Sequence, residues 1–283
     1  MSSVPSSIEA SPRREWAYYT EPDRATVAGL ETAFRRKGLG EPVVYLHGDG
    51  LTRLWLPMLE QLSAGADVIA PEHPGYGDTP RPDWLRGFDD MVLHYNAFFD
   101  ALDLDQVHLV GHSIGGWLAA ELAVFYPRRF KSLTLITPSG LRLPGQRSAD
   151  TFRLLADELL DARFNGRGAK YTEYFAQEEY PGDVVRTFNE DIVKALLAWN
   201  PRYDYKLDRR LANVTVPALV IGAEEDRIVN VNMVDRYAEL LPVAEAVRVK
   251  GADGPSSHFL HVEQPAEVAR LISNHVESNR GPA

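Results

Sequence analysis

A serine framed by glycines, at the point where one hydrophobic period gives way to another, restricts this chain more than any other feature. Residues 107–110, VHLV, form a short apolar run suited to a strand buried on both faces. From Ile114 to Tyr126 the apolar residues recur instead at helical spacing, through Trp117, Leu118, Leu122 and Phe125 with Glu121 among them. Between the two lies Gly111-His112-Ser113-Ile114-Gly115, a G-x-S-x-G pattern extended by Gly116. A serine on so sharp a strand-to-helix turn adopts strained backbone angles. Side chains larger than hydrogen two residues to either side would collide with the neighbouring strand and helix. The pentapeptide alone arises by chance in about one chain in ten of this length. Its place between a strand and a helix gives it weight.

The same alternation runs through most of the chain. Trp16 to Thr20 and Leu30 to Arg35 read as opening strands, and Val43 to His47, Val68 to Ala70 and Leu133 to Ile136 as compact buried ones. Leu51 to Leu62 and Phe88 to Leu102 carry helical spacing between them. Strands alternating with helices predict a mostly parallel, doubly wound α/β sheet. From Leu141 to Ala212 the rhythm breaks: helical spacing appears in Thr151 to Phe164, Lys170 to Gln177 and Val184 to Trp199, with no convincing strand. Alternation returns with a strand at Ala218 to Gly222, a helix around Val231 to Leu241, a strand around Ala246 to Val249 and a helix from Pro265 to Val276. The expected organisation is a disordered leader over 1–14, a core over 15–140 and 213–283, and a helical insertion over 141–212.

The net charge of −10 disfavours nucleic acid or anionic lipid as partners, because both are held by Lys and Arg. With no cysteine, a thiolate nucleophile and a zinc–thiolate site are both excluded. The polar, Ser- and Pro-rich beginning has no apolar run of the kind that directs secretion, and a cytoplasmic, non-membrane protein is expected. Nothing in the pattern calls for a cofactor or a metal. The expected partner is a small-molecule substrate, and homo-oligomerisation is compatible with the sequence.

A serine hydroxyl is a poor nucleophile at neutral pH and needs a base within hydrogen-bond reach, itself oriented by a third group. On an elbow of this kind the acid and then the histidine follow the serine in the chain. Asp226 lies just past the Ala218 to Gly222 strand, with Glu224 and Glu225 as rivals. His258 follows the last strand, with His261 and His275 as rivals closer to or within the terminal helix. The oxyanion of an acyl-transfer intermediate needs two backbone N–H donors. Ile114, after the nucleophile, is one candidate; Asp49, in His47-Gly48-Asp49-Gly50 after the VVYLH strand, is the other.

With these motifs in place, residues 25–277 resemble the α/β-hydrolase superfamily. HGDG at His47, HPGYGDT at His73, GHSIGG at Gly111, VPALVIGAEEDRIV at Val216 and HFLHVEQP at His258 occur in the family's order. The resemblance implies an α/β-hydrolase fold whose helical insertion forms a cap over the nucleophile. Relatives that dehalogenate or open epoxides carry aspartate at the elbow, and the epoxide hydrolases usually have proline after the HGx of the oxyanion loop. Ser113 and Gly50 depart from both. Two further departures are from what such relatives often show: Asp49 puts a carboxylate beside the oxyanion loop, with Arg53 as a candidate counter-ion, and residues 251–257 make an unusually long, polar approach to His258.

The expected activity is hydrolysis of an ester or lactone of a small, mainly apolar substrate through an acyl-enzyme. Cleavage of a carbon–carbon bond in a vinylogous diketone acid is an alternative for the same triad, marked by an anion-binding arginine such as Arg163 or Arg186. A non-catalytic ligand receptor on the same fold is a third. The aromatics Tyr171, Tyr174, Phe175, Tyr180, Trp199, Tyr203 and Tyr205 of the insertion divide between pocket lining and core.

Overall fold

A computed structural model describes residues 17–175 and 181–281. The leader over 1–14, Trp16 and Tyr180 lie outside the described residues. Among the described residues eight strands form one sheet: β1 (Asp23–Val27), β2 (Leu30–Lys37), β3 (Pro42–Leu46), β4 (Asp67–Pro71), β5 (Val107–His112), β6 (Phe130–Ile136), β7 (Ala218–Ala223) and β8 (Ala244–Val249). Their order is β1-β2-β4-β3-β5-β6-β7-β8. The hairpin β1/β2 and the β2/β4 pair are antiparallel, and every pairing from β4/β3 to β7/β8 is parallel.

Period-two alternation assigns each strand's side chains to one of two cores. In β3, Val44 and Leu46 join the cluster shared with Tyr95, Phe98 and Trp117, while Val43 and Tyr45 join the one containing Met58, Leu59 and Ile272. In β7, Val220 faces the first cluster and Leu219 and Ile221 the second. Burying each such aliphatic side chain contributes roughly 1.5–3 kcal/mol. One core is closed by α2 (Phe88–Ala101), α3 (Ile114–Phe125) and, after β7, a helix over Met233–Leu240; the other is closed by α1 (Pro57–Leu62) and the terminal helix Pro265–Ser278. α3 is buried along most of its length, although Phe125 at its end is half exposed, with the Arg210 guanidinium over its ring.

The opening strand differs from expectation. Residues 17–18 form a turn, and Tyr19 makes only an isolated bridge to Leu54. The first strand is Asp23–Val27, which turns into β2 through Ala28 and Gly29, at φ 48° and 87°. Positive φ at both central residues is the requirement of a type I′ turn, one of the two favoured for two-residue hairpins. The strand's mostly exposed residues, DRATV, conceal it in the sequence. α1 is also shorter than its periodicity suggests. Leu56, preceding Pro57, is extended at ψ 150°, because the proline ring disfavours helical geometry in the residue before it.

Between β6 and β7 the described residues contain no strand. They form α4 (Ala156–Arg163), a 3-10 stretch over Gly168–Tyr174, α5 (Pro181–Ala198), α6 (Leu207–Arg210) and a last 3-10 turn, Leu211–Asn213. α4 starts five residues later than its spacing suggests, where the Glu158 side chain accepts the Leu155 N–H at 2.9 Å and caps it. Among the described residues no helix is long and apolar enough to cross a membrane.

Several histidines are enclosed in this scaffold. Burial lowers the pKa of His47, His94 and His108 to about 4 and of His261 to about 3, so the folded chain holds them neutral near pH 7. The unfolded chain protonates them near pH 6.5. Their contribution to stability is therefore complete above that pH and is lost as pH falls toward 4. Urea unfolding at pH 7.5 and pH 5 should show a loss on the order of 1 kcal/mol per histidine on acidification. Equal midpoints at the two pH values would contradict this.

Candidate active site

β5 delivers Ser113 to the junction with α3. Its backbone sits at φ 55°, ψ −117°, in the left-handed region that a non-glycine residue occupies only under strain. The surroundings hold it there. The Ser113 N–H donates to the Ile136 carbonyl at 2.9 Å, and its own carbonyl accepts from Trp117 and Ser139, both at 3.1 Å. The turn also requires close contact between α3 and β3. A Cβ on Gly115 would lie 2.3 Å from the carbonyl oxygens of both Leu46 and His47.

The Ser113 Oγ lies 2.9 Å from His258 Nε2, and His258 Nδ1 lies 2.8 Å from Asp226 Oδ2. A carboxylate accepts only, so Nδ1 carries the proton and Nε2 is left to accept from the serine hydroxyl. The side chains of His258 and Asp226 are 3% and 4% exposed, which keeps water from competing for the pair. Asp226 Oδ1 accepts from the Ile228 and Val229 N–H groups, each at 2.8 Å, so the loop after β7 fixes the carboxylate's direction. His258 is anchored through its carbonyl, which accepts from Thr137 Oγ1 at 3.0 Å and His112 Nε2 at 3.1 Å.

The rival acids and bases are engaged elsewhere. Glu224 accepts from the Gly251 and Ser256 N–H groups and organises the long approach to His258, while Glu225 is exposed. His261 is buried beside the Tyr45 hydroxyl, and His275 lies against the Pro217 carbonyl. The 251–257 loop is further tied by Arg167 to the Pro255 carbonyl at 2.8 Å and by Asn165 to that of Ser256 at 3.2 Å.

Ser113 and His258 border a cavity of about 850 Å³. Asp49 and Ile114 border it too, as do Trp199, Tyr203 and Tyr205 from the segment between β6 and β7. Phe152 of that segment borders it as well, whereas three others pack away from the serine: Tyr171 stacks on Phe164, Tyr174 on Tyr18, and Phe175 meets Phe164 and Phe259 edge-on. A family model for the alpha/beta hydrolase family matches residues 43–271, which span the elbow, the acid and the histidine. The chain belongs to the alpha/beta hydrolase family. This alpha/beta hydrolase is 27% identical over 265 residues to a 2-hydroxy-6-oxo-2,4-heptadienoate hydrolase of Pseudomonas putida, covering 87% of this chain and 92% of that one. It is 28% identical over 262 residues to a 2-hydroxymuconate semialdehyde hydrolase of a Pseudomonas species, covering 87% and 90%. Its fold matches a meta-cleavage product hydrolase from Pseudomonas fluorescens at a TM-score of 0.74, with 24% identity over 92% of this chain and 99% of the other. It also matches naproxen esterase from Bacillus subtilis at 0.73, with 20% identity over 92% of each.

One electrostatic expectation is corrected for this hydrolase. Asp49 does not pair with Arg53, whose Nε reaches Asp78 at 3.1 Å. Asp49 Oδ2 instead accepts from Arg163 Nη2 at 2.7 Å and from Lys194 Nζ at 2.9 Å. Burial alone would raise the Asp49 pKa, but the two cations overcome it and hold the carboxyl well below the usual range. Lys194 escapes a reading of the sequence because it is one polar residue in an amphipathic helix. Thr137 and His112 escape it because their bonds run to a backbone carbonyl that no motif records.

Gly115→Ala should drive a methyl into the β3 backbone, lower stability by roughly 2–4 kcal/mol and displace the elbow. Thermal unfolding together with hydrolase assays checks this. A melting temperature equal to the parent's would show that the close contact is unimportant.

Proposed function

We propose that this hydrolase cleaves an ester or lactone of a small, mainly apolar acid through an acyl-enzyme on Ser113. The continuous hydrogen-bonded line from Ser113 Oγ to His258 to Asp226, at 2.9 and 2.8 Å, is the observation that carries this reading. Ser113 attacks the acyl carbon as His258 Nε2 takes its proton, and Asp226 stabilises the imidazolium that forms. The amides of Asp49 and Ile114 carry the oxyanion. His258 then returns the proton to the leaving alkoxide. A water that gives its proton to the same nitrogen attacks the acyl-enzyme, and as the acid leaves that proton passes from His258 to Ser113 Oγ, restoring the starting state. Residues 141–212 act as a cap: Trp199, Tyr203 and Tyr205 border the Ser113 cavity and supply apolar surface for the substrate.

Carbon–carbon bond hydrolysis of a vinylogous diketone acid is the second reading. Two relatives bearing dienoate and semialdehyde hydrolase names favour it, as does the presence of Arg163 and Lys194 on the wall of the serine's cavity. The ester reading is preferred because those two cations are already engaged by Asp49.

Stopped-flow hydrolysis of p-nitrophenyl butyrate should give a burst of nitrophenolate followed by slower turnover. Ser113→Ala should lower kcat/KM by at least about 10⁴-fold, and Asp226→Asn by about 10³–10⁴-fold, through loss of the productive histidine tautomer. Full turnover in Ser113→Ala would reject the mechanism. Turnover of a dienone acid alone, with no ester cleaved, would select the second reading.

A further inference from the structure

The ion cluster at Asp49 occupies an unusual position. Arg163 comes from α4 and Lys194 from α5, and both converge on one oxygen of a loop that directly follows β3. The side chains of Arg163, Lys194 and Asp49 are 11%, 9% and 21% exposed. Aromatic rings brace the two cations: the Arg163 guanidinium carbon lies 5.4 Å from the centroids of both Phe175 and Phe259, and Lys194 Nζ lies 5.1 Å from that of Phe152. Arg163 also rests directly on Gly50, where a Cβ would fall 2.8 Å from Nη1. The position of the guanidinium therefore depends on the absence of a side chain at residue 50, whose φ of +94° also suits glycine.

The cluster is a partition. Asp49, Arg163 and Lys194, with Phe152 and Leu159, border both the Ser113 cavity and a second cavity of about 870 Å³ on their other side. Other charges reach the Ser113 cavity as well. Arg142, Arg147 and Arg153 are exposed, where water and salt screen them, and Arg202 is paired with Asp150 at 2.6 Å. The partition holds the shielded charges on this wall. Two cations against one carboxylate leave it a single positive charge, and removing the carboxylate would leave two.

We infer that Asp49 sets the charge preference of the acyl site: its carboxylate fills the place between Arg163 and Lys194 that a carboxylate on the substrate's acyl group would take, so the protein favours neutral acyl groups. This rests on the serine hydrolase reading above. The backbone amide of residue 49 is untouched by the role of its side chain, so oxyanion stabilisation and charge selection are separable by substitution.

The test compares p-nitrophenyl pentanoate with mono-p-nitrophenyl glutarate, which have equal acyl length and differ by a terminal carboxylate. The parent should prefer the pentanoate. Asp49→Asn should raise the glutarate-to-pentanoate ratio of kcat/KM by about tenfold or more, the scale of one unit charge at short range in a partly buried site. Lys194→Met should lower that ratio, and it carries the test if Asp49→Asn does not fold. A ratio unchanged in both variants, even with both substrates turned over more slowly, would overturn the inference. Calorimetry of glutarate with Ser113→Ala and with the Ser113→Ala, Asp49→Asn double variant gives a readout without turnover. Tighter binding to the double variant supports the charge role, and equal binding overturns it. Absence of all ester turnover in the parent would instead count against the ester-hydrolase reading.

Discussion

The near-contact of helix α3 with strand β3 is the constraint on which the rest of the site depends. With hydrogen alone at residue 115, the helix lies against the Leu46 and His47 carbonyls, and the chain leaving β5 must turn sharply to reach it. That turn forces Ser113 to positive φ and lifts its side chain toward the cavity. A wider spacing would let the serine relax, and its hydroxyl would leave the neighbourhood of His258. The strain is borne by parallel pairing on both sides of β5, with β3 and with β6. A central strand held from two sides is the place in a sheet best able to hold a residue in an unfavourable conformation.

Much of this was legible in the residues. Ser113 and Asp226 could be placed because each follows a continuous apolar run, the mark of a strand buried on both faces; His258 follows the mostly exposed β8 and was placed by its position between the last strand and the terminal helix. The break in rhythm over 141–212 likewise corresponds to a strand-free segment among the described residues. What escaped has physical reasons. The DRATV strand is mostly exposed and lacks the apolar signal on which strand recognition depends. The onset of α1 was decided by one proline, and that of α4 by the Glu158 cap. The counter-ions of Asp49 come from residues 114 and 145 positions away, and Arg53, nearer in sequence, is drawn instead to Asp78.

Backbone groups position the line from serine to acid as much as side chains do. Asp226 is oriented by two amides of its own loop, and His258 by two donors that grip its carbonyl. One of those donors, His112, is the residue between Gly111 and Ser113, so the elbow itself holds His258 in register. The other, Thr137, stands just beyond the end of β6 at φ 39°. His258 is therefore located by the same two strand ends that locate Ser113.

The bond between Ser113 and His258 joins residues 145 apart in the chain, and that between His258 and Asp226 joins residues 32 apart. No local segment contains the site in miniature. Contacts of such long range form only after large loops have closed, which makes them slow to assemble and dependent on the whole sheet. Hydrolysis regained during refolding would thus report completion of the sheet from β3 to β8, whereas helix content would return earlier and signal much less.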